Sequence, residues 1–84
     1  MGNMWKTLED KLLEESNDVI EYLRLSEEAE EAGDEYVSAK LKAAAYDEFT
    51  HGYTLCSILK HNGYEISAEV KEHWHKAEEA FEDM

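Results

Sequence analysis

Between residues 4 and 60 the helical periodicity of this chain is broken at one point, Gly33-Asp34, and no proline occurs anywhere in its 84 residues. Proline ends helices by removing a backbone donor, and glycine supplies the left-handed position just past many helix C-termini. A proline-free chain with glycine at its break is confined to a few long rods. Alanine, leucine, glutamate and lysine, all strong helix formers, fill the intervals. The fold class is therefore all-α. Three helices are expected, over about residues 4–32, 35–60 and 68–83, in a single domain covering 1–84. Gly33 closes the first and Asp34 caps the second. The second gives out over His61, Asn62 and Gly63, and Ser67 caps the third. Rods of about 27 residues are about 40 Å long, and so short a connection makes them an antiparallel two-helix hairpin.

The apolar residues say that this hairpin wants further neighbours. On the first helix Trp5, Leu8, Leu12, Leu13, Val19, Ile20, Tyr22 and Leu23 spread over roughly half the circumference, enough surface for two neighbours. On the second, Val37, Leu41, Ala44, Leu55, Ile58 and Leu59 form a stripe expected to face inward. Tyr46, Phe49 and Tyr53 point largely away from that stripe, toward the third helix or a second interface between subunits. The short third helix cannot cover both rods, so association with another copy is expected, as a homodimer or a higher even-numbered homo-oligomer.

The balance of 21 acidic against 8 basic residues gives a formal net charge of -13. Such a surface repels phosphate backbones and anionic bilayers and attracts metal cations, which disfavours nucleic acid and membrane as partners. A hydrophobic share of 43% is too high for a disordered acidic tail. The sequence shows neither a signal peptide nor a run of about 20 apolar residues. Its one cysteine, Cys56, cannot form an internal disulfide and reads as a small packing residue. A cytoplasmic protein is expected.

Three polar residues interrupt the apolar stripes. Glu15 shares a helix face with Leu8, Leu12, Val19 and Tyr22. Glu48 lies in the middle of the second stripe, four residues after Ala44 and seven before Leu55, and His51 follows it by three. A buried carboxylate needs a partner or a cation, because an isolated one loses several kcal/mol of hydration. Lysine and arginine are scarce, so a metal ion is the natural compensating charge. Glu-x-x-His places a carboxylate oxygen and an imidazole nitrogen one turn apart, able to bind one ion together. A turn centred near residues 32–34 sets Glu48 level with positions 16–20 of the first helix. Glu14, Asp18 and Glu21 are therefore alternatives to Glu15, which is chosen for its face. Glu72 and His75 repeat the spacing but read, with His73, as a solvated face, as do Glu27-Glu28 and Glu30-Glu31.

Glu15, then Tyr22 seven residues on, Gly33 eleven after that, and Glu48-Phe49-Thr50-His51 resemble the first half of a rubrerythrin-type ferritin-like domain, without gaps over about residues 8–60. The resemblance implies that a first-helix glutamate and a second-helix Glu-x-x-His supply half of a di-iron site, with the tyrosine close by. The chain lacks the second hairpin of a full domain and the cysteine pairs of a rubredoxin-type centre. In this it is similar to encapsulated ferritins, in which a hairpin with a short third helix dimerises into a ferritin-like four-helix bundle. That likeness implies that Glu15, Glu48 and His51 of two subunits hold two irons per dimer, with Tyr22 as a further catalytic residue. It also implies a place inside an encapsulin shell, although the apolar, glycine-containing targeting peptide of those proteins is not seen before Met84.

The expected function is that of a di-iron ferroxidase, oxidising Fe(II) for iron storage or peroxide defence. Carboxylates with one imidazole per metal suit iron or manganese, and zinc can use the same ligands structurally. The alternative is a non-catalytic helical dimer or adaptor with a structural or vestigial metal site.

Overall fold

The computed structural model describes residues 3–83. It is all-helical: α1 spans Asn3–Glu31, α2 spans Glu35–His61 and α3 spans Ala68–Glu82. The body is a rod of 48 × 19 × 16 Å, its length set by the two long helices. No described helix is long and apolar enough to cross a membrane.

Both long helices end in the same way. The N–H of Gly33 bonds to the carbonyl of Glu30 and that of Asp34 to Ala29; the N–H of Gly63 bonds to Lys60 and that of Tyr64 to Leu59. This paired closure needs a left-handed residue, and Gly33 and Gly63 supply it with φ of +82° and +70°. Each following helix then restarts on a side-chain cap. Asp34 Oδ1 accepts from the N–H of Val37, and Ser67 Oγ from that of Val70. Chain reversal and re-nucleation are thus encoded within a few residues, which is why the element boundaries follow closely from local sequence.

α2 runs back along α1, and near the turn the buried Ser26 hydroxyl lies 2.9 Å from the carbonyl oxygen of Ser38 and donates to it. α3 then folds back parallel to α1: Glu9 touches Ser67 at the start of α3, and Asn17 meets His73 two turns further on. The broad apolar surface of α1 is divided between these two neighbours, with Leu12, Val19 and Leu23 fully or almost fully buried.

The packed face of α2 is not the expected one. Its buried residues are Ser38, Ala45, Gly52, Cys56 and Leu59. Of the predicted inward stripe only Leu59 is buried; Leu41, Ala44 and Leu55 are half-buried, and Val37 and Ile58 are exposed. Small side chains let helix backbones approach closely, and the large apolar ones are left on an outer flank. At Gly52 a Cβ would collide with the Cζ3 and Cη2 atoms of Trp74. Trp74 in turn stacks on Phe49, with ring centroids 5.0 Å apart, and Phe81 packs on Phe49 from the next turns. Phe49 therefore lies under α3. Tyr46 reaches only the edge of Phe81, and Tyr53 stays exposed.

The α2–α3 connection is fastened from below by a buried carboxylate. Glu9, 3% exposed, accepts from the Tyr64 hydroxyl at 3.0 Å and from the backbone N–H of Ser67 at 2.6 Å. The Ser67 N–H, foremost, holds its carboxyl below the ordinary range, against the opposing effect of burial.

Candidate metal centre

α3 covers the face of the hairpin that carries Phe49 and Gly52. The opposite flank carries the polar residues singled out above. Along α2, Val37, Leu41, Ala44, Glu48, His51, Leu55 and Ile58 follow one another at alternating spacings of four and three, the periodicity of a helix–helix seam. Along α1, Leu8, Glu15, Tyr22 and Ala29 repeat at seven and share one line. Apart from buried Glu15 and exposed Val37, His51 and Ile58, these residues are half-buried. Together they make an open apolar strip with one polar interruption at its centre.

That interruption is Glu15, Glu48 and His51. One ligand atom from each lies within 4.8 Å of the others, and no other such group of three occurs among the described residues. His51 Nδ1 is 3.5 Å from Glu48 Oε1 and 3.8 Å from Glu15 Oε2. Two donors on one ion bound at about 2.1 Å can be at most about 4.2 Å apart, so both imidazole–carboxylate pairs already fall inside that limit. Glu15 is 5% exposed, and its Oε2 is buried without a hydrogen-bond partner. An orphaned carboxylate oxygen aimed at an imidazole and a second carboxylate is the arrangement a cation would satisfy.

The electrostatics carry the same strain. The Glu48 carboxyl is pushed above its ordinary value first by the neighbouring carboxyl of Glu15 and next by burial; His51 opposes the shift. Asp18 is raised by burial and then by the charge of Glu48. Three carboxylates thus crowd one stretch of the hairpin. The nearest cation is Lys11, one turn before Glu15, with Nζ 3.7 Å from Oε1. Lys11, Glu15, His51, Thr54 and Leu55 line a shallow depression that leaves the imidazole open to solvent.

The other candidates fall elsewhere. Tyr22 is half-buried beside Asp18 and Glu21. Along α1 it stands two turns, about 10 Å, from Glu15. Glu14 and Glu21 are exposed. Glu72 pairs with Lys76, and His75 faces Glu78 and Glu79 on the solvated side of α3. Sequence reasoning missed Lys11, and it missed Glu9, although Glu9 sits four residues after Trp5 and three before Leu12, inside the apolar arc that singled out Glu15.

Comparison with family models, with curated proteins and with solved structures gives no match, so the chemistry of this site rests on its own residues.

Proposed function

We propose that this chain is half of a ferritin-like four-helix bundle, that a second copy completes it across the open strip, and that Glu15, Glu48 and His51 of each copy bind iron for oxidation of Fe(II). The observation that carries this reading is the buried, unpartnered Oε2 of Glu15 facing His51 and Glu48. Two carboxylates and a neutral imidazole form a donor set suited to iron or manganese, with zinc able to use the same atoms. Three protein ligands leave coordination positions free, as a redox site requires.

Iron, as substrate, supplies the electrons: each Fe(II) yields one, and dioxygen or peroxide takes them up. The chain's own part is to hold, shield and attract. Glu15 and Glu48 provide negative charge that cancels the ion's, and His51 adds a neutral donor. The surplus of 13 negative charges raises the local concentration of cations. A second copy on the strip from Val37 to Ile58 would bury the half-exposed leucines and close the site from water. It would also bring a second Glu15, Glu48 and His51 to the same axis.

Anaerobic loading with Fe(II), with metal content and mass in solution measured on the same sample, tests this. The reading expects one iron per chain in a dimer or larger even oligomer, and oxidation on admitting oxygen. Glu48→Ala and His51→Ala should each abolish both binding and oxidation. A stable dimer that takes up no iron would replace the reading by that of a helical adaptor.

A further inference from the structure

Glu15 has two claims on its one carboxylate. Oε2 is buried beside His51 without a donor, while Oε1 faces the ammonium of Lys11 at 3.7 Å. Lys11 lines the same depression as His51, so its charge stands at the mouth through which an ion would reach Oε2. Elsewhere the basic side chains near acidic ones pair on the surface or at the α3 end: Lys6 with Glu9 and Asp10, Lys42 with Glu30, Lys76 with Glu72.

We propose that Lys11 is a tethered counter-ion that stabilises the unloaded site and sets how tightly a divalent cation binds there. The proposal rests on the metal reading above and adds the residue that regulates it. A nearly buried carboxylate without a cation is costly, and the Lys11 ammonium supplies part of the missing charge. A divalent ion on Oε2 then stands close to that ammonium, and the two repel. Loading therefore exchanges one cation for another rather than filling a vacant charge. Lys11 can make way because its side chain is 55% exposed and its long flexible stem can carry the ammonium into water. A monovalent ion offers no more charge than the ammonium it would displace, so the exchange favours divalent ions over sodium or potassium.

Calorimetric titration with Co(II), an air-stable probe for the same donors, tests this on the full chain as wild type, Lys11→Met and Lys11→Arg. Loss of the ammonium is expected to tighten Co(II) binding about three- to tenfold, with Lys11→Arg within about twofold of wild type. The unloaded Lys11→Met protein should also melt below unloaded wild type. Stoichiometric Co(II) binding with affinity unchanged or weakened in Lys11→Met would overturn the proposal while leaving the metal reading intact. No Co(II) bound by wild type or by Lys11→Met would overturn both.

Discussion

Glu15 Oε2 and His51 Nδ1 face each other across the α1–α2 seam at 3.8 Å, and that oxygen has no hydrogen-bond donor. Helix packing has therefore brought together, from positions 36 residues apart, an acceptor without a partner and an imidazole turned toward it. An ion that binds both belongs to the folded state alone, because the unfolded chain holds these residues far apart. Binding should then appear as stability. At a divalent-ion concentration 100 times Kd the gain is about 2.7 kcal/mol, which in a chain of this size raises Tm by on the order of 10 °C. Glu15→Gln and His51→Ala should each lose most of that rise, as differential scanning calorimetry with and without Co(II) would show.

Glu48 predicts the opposite behaviour for the unloaded protein. Its carboxyl is raised in the folded state by Glu15 and by burial, so the folded chain binds that proton more tightly than the unfolded chain does. The contribution is stabilising below the ordinary value of 4.5 and is lost as pH rises through the raised one. Glu48→Gln, which cannot ionise, should make the unloaded protein more stable at pH 7 by on the order of 1 kcal/mol, while abolishing stabilisation by metal. Urea unfolding at pH 4 and pH 7 checks the first, since the advantage of the variant should shrink at the lower pH, and the same unfolding at pH 7 with Co(II) checks the second.

How far the site could be read from sequence follows from how local its causes are. Gly33-Asp34 and Ser67 act within four residues, and the structure closes and caps its helices there. The meeting of Glu15 with Glu48 and His51 was legible from the face of α1 that Glu15 shares with Leu8, Leu12 and Val19, although antiparallel level alone pointed up to a turn further on, toward Asp18 and Glu21. The rotation of α2 was not. Hydropathy favours Val37, Leu41 and Ile58 as the inward face, whereas close packing selects Ser38, Ala45 and Gly52, whose merit is small size. Glu9 escaped notice for another reason: its hydrogen-bond donors, Tyr64 and Ser67, lie more than 50 residues away and carry no charge of their own, while the nearby Lys6 reads as an ordinary surface pair.

Glu9 gives a pH dependence of the reverse sign. Its carboxyl is lowered in the folded state, first by the Ser67 N–H, so it contributes stability that is complete above the ordinary value of 4.5 and is lost as pH falls through the lowered one. Glu9→Leu leaves the Ser67 N–H and the Tyr64 hydroxyl without their acceptor, and a loss of about 1–3 kcal/mol is expected at pH 7. Glu9→Gln should flatten the acid limb of the stability curve. Hydrogen exchange at the first turn of α3 would locate the loosening.

At residue 52 the packing argument and helix propensity make opposite forecasts. Glycine inside a helix costs about 1 kcal/mol relative to alanine, so on propensity Gly52→Ala should stabilise. Because the added methyl would strike Trp74, overpacking of about 1–3 kcal/mol should outweigh that gain and lower Tm. Gly52→Ala combined with Trp74→Leu should cost less than the sum of the two single changes. A Gly52→Ala protein more stable than wild type would mean that Trp74 does not press on α2.

The open strip makes the sharpest forecast about assembly, because a substitution there separates the fold of one chain from the meeting of two. Ile58 is 38% exposed and lies at the end of the seam that runs through Glu48 and His51. In an isolated chain Ile58→Lys would merely lengthen a surface side chain and should change stability by less than about 0.5 kcal/mol. In a dimer whose copies meet along this seam, the same change buries two ammonium groups near the interface, at a cost of several kcal/mol each unless they find partners. The variant should therefore keep its helical circular dichroism while its mass in sedimentation falls to that of one chain. Iron uptake should fall with it if the second copy completes the site. An Ile58→Lys protein that stayed dimeric would place the interface elsewhere, with the exposed Tyr46 and Tyr53 on the other side of α2 as the next surface to substitute.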